Sequence, residues 1–336
     1  MNDTAPDLRR QTLLASLAGA RPPAPDWFRQ ALADVPQRGF TEAAGARIET
    51  LAWGERGKPG LLFLHGNGAH ADWWSFIAPF FSREYRCVAL SWSGMGGSDR
   101  RERYSFDIFV REAMTVAEAT GLFDGPEKPV FIGHSFGGFP IIEAAARHGE
   151  RLGGAVIIDT PIFSPERRRE RRRERREKGA AWEMRPHKIY PTLQAALQRF
   201  RLVPAQPCEN LYIADHIART SLTQVGTQEG SGWTWRFDPY LWRDYEWEDP
   251  APALSSPQCP LAVLLGARST LMQDGDIARM RGLLPPGTPV IEIPEAYHHV
   301  PIDQPLALVA VLRTLLAGWN SASASGVKRP RNKGLA

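Results

Sequence analysis

Cysteine is scarce in this 336-residue chain. The three present, Cys87, Cys208 and Cys259, are odd in number and lack C-x-x-C spacing. That pattern excludes a disulfide framework and offers no zinc ligand set; a reducing, cytoplasmic setting fits it. No apolar run approaches the ~20 residues needed to cross a bilayer, so no membrane span is expected. A dominant charge of one sign is missing too. The formal net charge is +4, and the excess is local, in Arg167 to Lys178 and in the tail Lys328-Arg329-Pro330-Arg331-Asn332-Lys333. The folded core therefore gives no reason to expect a nucleic-acid partner. No internal repeat is present.

What remains is ordinary globular material, 43% hydrophobic and 23% charged, enough to bury a large core. Near the N-terminus Arg9-Arg10 precedes the apolar stretch Thr12 to Ala20. That arrangement can be read as an export signal. The stretch is short, contains Ser16 and Gly19, and follows Asp3 and Asp7, so it is read here as a short helix. Residues 1–44 are expected to be a helical extension.

From there, strand and helix signals alternate, which predicts an α/β fold with a mostly parallel sheet. Short apolar runs occur at Leu61 to Leu64, Cys87 to Leu90, Val130 to Ile132, Ala155 to Ile158, Leu261 to Leu265 and Val290 to Ile293. Continuous runs of this kind suit strands buried on both faces. Arg47 to Trp53 alternates and is expected to be an antiparallel edge strand. Helices are expected over Ser105 to Thr120, Ile141 to His148 and Leu306 to Leu316. The stretch 160–250 breaks the alternation and carries Trp182, Trp233, Trp235, Trp242 and Trp247. It is read as a mainly helical cap between core segments 45–159 and 251–318. Residues 319–336 read as a disordered basic tail.

The chemistry centres on Gly133-His134-Ser135-Phe136-Gly137. It matches G-x-S-x-G between a buried strand and an alanine-rich helix, the setting in which a sharp turn lifts a nucleophilic serine clear of a sheet. A serine hydroxyl needs a base. His298, just past the last strand, is the candidate, with His299 as competitor. The His-His pair has no carboxylate or cysteine cluster beside it, so no metal is expected.

These residues, with Leu64-His65-Gly66-Asn67-Gly68 and His298 to Pro305, resemble the α/β-hydrolase superfamily, and within it the capped esterase and C–C hydrolase branch. The resemblance spans roughly residues 45 to 318. It implies an α/β-hydrolase fold with Ser135 as nucleophile and His298 as base. It also implies an oxyanion hole from the N–H groups of Asn67 and Phe136, and no cofactor. His65, Gly66, Gly68, Trp73 and His134 are expected around the substrate pocket. The sequence departs from the family at Ser269, where an aspartate usually stands. Asp159, which ends the strand following the serine, is taken as the acid, with Asp274 as the alternative. Ser91-Trp92-Ser93-Gly94-Met95-Gly96-Gly97-Ser98-Asp99 resembles a second family segment, with Ser91 in place of its aspartate; it is read as structural.

The expected activity is hydrolysis of a small-molecule carboxylic ester or thioester with an apolar or aromatic acyl group, given Trp73, Trp74 and Phe76 near the oxyanion loop. A C–C hydrolase or a non-catalytic binding protein of the same fold stays open; the missing aspartate motivates the latter. From another class, Gly66-Asn67-Gly68-Ala69-His70-Ala71 fits the dinucleotide fingerprint of an NAD(P)-dependent oxidoreductase, although Ser91 stands where that fold wants an acid. The Arg-rich run reads as a solvated helix laced with i,i+3 and i,i+4 pairs, with a basic docking patch for acidic partners as the sharper alternative.

Overall fold

The computed structural model describes residues 12–177, 185–227, 230–243, 245 and 247–324. After a short 3-10 turn at Ala15–Leu17 come helix α1 (Asp26–Ala33) and strands β1 (Gln37–Ala43), β2 (Ala46–Trp53), β3 (Gly60–Leu64) and β4 (Arg86–Leu90). Helix α2 (Phe106–Ala119), β5 (Val130–His134), α3 (Gly138–His148) and β6 (Gly154–Ile158) complete the first half. An inserted stretch holds α4 (Pro165–Glu177), α5 (Leu193–Leu197), α6 (Leu211–Thr220) and the hairpin β7 (Leu222–Thr227) and β8 (Gly230–Trp235). The chain returns through α7 (Ala251–Ser255), β9 (Leu261–Gly266), α8 (Asp274–Leu283), β10 (Val290–Ile293), α9 (Val300–Asp303) and α10 (Pro305–Ala324).

The eight-stranded sheet runs β1-β2-β4-β3-β5-β6-β9-β10. All pairings from β4 onward are parallel, while β2 is antiparallel to both β1 and β4. The six apolar runs form the six parallel strands. Their side chains alternate between two cores. In β3, Leu61 and Phe63 join Trp74 and Phe81 on one face, and Leu62 and Leu64 join Phe109 and Phe131 on the other. Burial on both faces explains the unbroken hydrophobicity. Each fully buried Leu or Phe contributes ~1.5–3 kcal/mol.

Ser105 caps α2, its hydroxyl accepting from the Ile108 N–H at 3.2 Å. This satisfies one of the free amides of the first turn.

Four expectations need correction. Arg47 to Trp53 lies inside β2, which is antiparallel but interior; the edge is β1, where Phe40 is exposed. The supposed helical extension 1–44 therefore ends in a sheet strand, and among its described residues only Asp26–Ala33 is α-helix. The inserted stretch contains the β7–β8 hairpin, whose glycine-rich, half-exposed strands carry no apolar run. Helix α10 continues to Ala324, past the point where the tail was placed; residues 325–336 lie outside the described residues, as does Trp182.

Candidate active site

The sheet order reverses direction around β3, which has β4 on one side and β5 on the other. Loops leaving the carboxyl ends of β3 and β5 diverge at such a point and open a crevice. Leu64 pairs with Gly133 in register, so the loop after β3 and the turn after β5 begin side by side.

Ser135 occupies that turn, with φ +53°. A non-glycine residue at positive φ stores backbone strain. The flanking glycines make the turn sterically feasible. A Cβ on Gly133 would stand 2.6 Å from the Gly137 carbonyl oxygen, and one on Gly137 would stand 2.5 Å from that of Leu64. Thr160 Oγ1 donates to the Ser135 carbonyl at 2.9 Å and pins the turn to the end of β6.

His298 sits between β10 and α9. The Tyr297 N–H donates to Asp303 at 2.8 Å and the His299 N–H to Gln206 Oε1 at 3.0 Å, fixing the backbone on both sides of the imidazole. Its Nδ1 lies 2.7 Å from Asp159 Oδ2 and its Nε2 2.9 Å from Ser135 Oγ. An ionised carboxylate only accepts, so Nδ1 carries the proton and Nε2 presents a lone pair to the hydroxyl. Asp159 is 1% exposed, with φ +47°. Its Oδ1 accepts from the Gly266 N–H at 3.1 Å and its Oδ2 from Ser269 Oγ at 2.6 Å.

The fold thus brings together Ser135, His298 and Asp159. Asp274 is an exposed residue in the first turn of α8. Gln273 caps that helix in a reciprocal pair with Asp276.

The loop after β3 leans on the serine turn. A Cβ on Gly66 would lie 3.2 Å from Ser135 Cβ and 3.3 Å from His134 Nδ1. Asn67 is exposed, and its side-chain oxygen accepts from Trp242 Nε1 at 3.0 Å. Gly68 takes φ +67° beside open space. His65 does not face a pocket as expected. It is 1% exposed, its Nδ1 bonds the Gly66 carbonyl at 2.7 Å, and its Nε2 accepts from the Trp92 N–H at 3.0 Å. It braces the loop, and burial pushes its pKa down to about 3.

His134 is also buried. It donates through Nε2 to the His298 carbonyl at 2.8 Å, and burial lowers its pKa to about 3. Burial holds His299 well below the ordinary histidine range. The half-buried Trp73 stacks on His134, with ring centroids 6.4 Å apart. On the other side of the serine, Phe136 meets Trp242 at 5.2 Å, and Trp242 stacks on Trp247. Trp233 and Trp235 pack against the opposite core.

Several contributors carried no local signal. Glu49 of β2 accepts from Ser91 Oγ at 2.7 Å and the Gly97 N–H at 2.8 Å, and pairs with Arg236 at 2.8 Å. It supplies from the neighbouring strand a carboxylate for the loop in which Ser91 replaces one. His134 completes a cluster of three buried imidazoles with His298 and His299, where the sequence offered only a pair. The dinucleotide reading loses its geometry. After the glycines the chain enters a one-turn 3-10 segment, Ala71–Trp74, with no α-helix N-terminus to hold a pyrophosphate. In α4, Arg167 pairs with Glu170 and Arg169 with Glu166, while Arg168 reaches Asp249 outside the helix. A cleft of about 670 Å³ between α4 and the start of α8 includes none of the triad residues in its lining. Among the described residues no helix is long and apolar enough to cross a membrane.

A strained serine at a strand-to-helix turn, beside a histidine carried after the last strand of a mostly parallel sheet, defines the α/β-hydrolase class. The profile of the alpha/beta hydrolase family matches residues 61–311, and the chain belongs to that family. It is 26% identical over 276 residues to esterase Rv0045c of Mycobacterium tuberculosis, covering 81% of this chain and 87% of that protein. It is 32% identical over 121 residues to human epoxide hydrolase 4, covering 35% of this chain and 32% of that protein. Among solved structures, one of esterase Rv0045c, titled for that enzyme's transition metal inhibition, aligns with TM-score 0.67. Its identity is 23%, over 90% of this chain and 96% of that one. A thioesterase domain from the curacin biosynthetic pathway aligns with TM-score 0.66 and 22% identity, over 83% of this chain and 99% of that one.

Proposed function

We propose that the protein is a serine hydrolase that cleaves a carboxylic ester or thioester through an acyl-enzyme. The observation that carries this reading is the continuous chain Asp159–His298–Ser135, with contacts of 2.7 and 2.9 Å. Ser135 attacks the carbonyl carbon while His298 Nε2 takes its proton. The leaving alcohol or thiol then receives that proton. A water, deprotonated by the same nitrogen, attacks the acyl-enzyme and frees the acid. Asp159 holds the imidazole in the correct tautomer and stabilises the imidazolium. The amides of Asn67 and Phe136 receive the oxyanion; the tight approach of Gly66 to Ser135 supports that role for the loop.

Residues 160–250 serve as the cap. Trp242, hydrogen-bonded to Asn67 and packed on Phe136, forms with Trp247 an aromatic wall suited to an apolar or aromatic acyl group. The resemblance to a mycobacterial esterase supports ester chemistry. Hydrolysis of p-nitrophenyl esters by the purified protein and by its Ser135→Ala variant tests the reading. Turnover by the native chain alone is expected; equal turnover by both overturns it.

A further inference from the structure

The mechanism above uses one imidazole, yet three are packed together. His134, His298 and His299 are all buried and each places a ring nitrogen within 4.8 Å of the others. His134 spends its Nε2 proton on the His298 carbonyl. Its Nδ1 therefore exposes a bare lone pair, and that atom is shielded from solvent without a hydrogen-bond partner. It lies on the side of the ring near Gly66 and Ser135. The buried His299 ring has the Pro204 carbonyl as backbone hydrogen-bond partner for one nitrogen, which leaves the other with a bare lone pair. Buried polar atoms in native proteins are almost always satisfied, so bare lone pairs on two buried rings beside one site call for a partner. One species satisfies lone pairs from three rings at once: a metal cation.

We propose that His134, His298 and His299 form a binding site for a borderline divalent transition metal such as Zn2+ or Cu2+, and that its occupancy arrests hydrolysis. The second half rests on the proposed triad; the first does not. Neutral imidazoles suit zinc and copper, whereas Mg2+ and Ca2+ demand oxygen ligands. His298 already has the second-sphere arrangement of a metal ligand, its Nδ1 proton held by a carboxylate, Asp159. Donor nitrogens around one such ion stand roughly 3.3 Å apart. Binding therefore draws the three rings together from the observed spread of up to 4.8 Å. The metal takes the same Nε2 lone pair that receives the Ser135 proton. Binding displaces no proton from His298, and Ser135 Oγ, 2.9 Å from that nitrogen, loses its base.

The full-length Ser135→Ala protein, freed of metal with EDTA and titrated with ZnCl2 in a calorimeter, measures the site without reference to activity. One tight equivalent per chain is expected, with MgCl2 giving none. His299→Phe, which keeps ring volume but removes both nitrogens, is expected to weaken Zn2+ binding at least tenfold; His299→Leu provides a second variant should the first fail to fold. In the native chain, half-inhibition of ester hydrolysis, relative to each protein's metal-free rate, is expected to shift by the same factor. Absence of Zn2+ binding, or binding that neither His299 variant weakens, overturns the site. Tight binding without inhibition of an active enzyme overturns the arrest. Absence of ester hydrolysis with Zn2+ still bound overturns the proposed function and leaves the metal site standing.

Discussion

Ser269 Oγ donates to Asp159 Oδ2 at 2.6 Å, so the residue standing where the family usually has its acid instead hydrogen-bonds an acid supplied by the neighbouring strand. That oxygen also receives the His298 Nδ1 proton. A donor on the carboxylate holds it aimed at the imidazole. Ser269→Ala is expected to lower kcat about tenfold with KM nearly unchanged, the equivalent of ~1.4 kcal/mol for one hydrogen bond to a charged group. Steady-state kinetics on a p-nitrophenyl ester provide the check. An unchanged kcat would mean that the hydroxyl only supports its own turn through the Leu271 N–H.

The two candidate acids differ in kind, and their amide variants should differ accordingly. Asp159→Asn presents the wrong group to His298 Nδ1 and is expected to reduce kcat by about 10⁴. Asp274→Asn changes an exposed side chain in the first turn of α8 and is expected to stay within about twofold of the native rate. Circular dichroism on both proteins separates loss of chemistry from loss of fold.

Acid sensitivity should depend on Asp72, which pairs with Arg38 and His70. Burial alone would raise its pKa, but the hydrogen bonds and charges of these two partners outweigh it and hold the carboxyl well below its ordinary value. The unfolded chain takes up this proton near pH ~3.9; the folded chain resists until lower pH. The pair's stabilisation is therefore complete above about pH 5 and is lost as pH falls through 4 toward the depressed folded value. Asp72→Asn is expected to cost about 1–2 kcal/mol at pH 7, a value reduced because Arg38 is half exposed. Thermal melts should show the gap between variant and native protein narrowing from pH 5 to pH 3. A constant gap would contradict this account.

Gly137→Ala tests the tightness of the serine turn. Its new Cβ would meet the backbone oxygens of Leu64 and His65 at 2.5 and 2.7 Å, and neither can swing aside. An overpacking penalty of ~1–3 kcal/mol is expected, together with loss of activity as Ser135 shifts. A denaturant midpoint equal to that of the native chain would show the turn to be looser than described.

The parallel strands were legible because burial on both faces writes itself as unbroken apolar runs, Leu61 to Leu64 among them. The nucleophile turn was legible because its steric demand selects glycine at 133 and 137. The edge is not legible because β1 is polar, with an exposed Phe40, and its register with β2 has no local apolar signal. The hairpin carrying Trp233 and Trp235 is not legible because each short strand is half exposed and rich in glycine. In the site, the contributions of Glu49, Ser269 and His134 depend on which strands become neighbours, and no local spacing encodes that.

Covalent labelling tests the central claim most directly. A fluorophosphonate probe, followed by proteolysis and mass spectrometry, reads which hydroxyl is activated in the native chain. The expected adduct is on Ser135, one per chain, absent from Ser135→Ala and sharply reduced in His298→Ala. An active protein that stays unlabelled, or that carries its adduct on another residue, would contradict the assignment of Ser135 and His298.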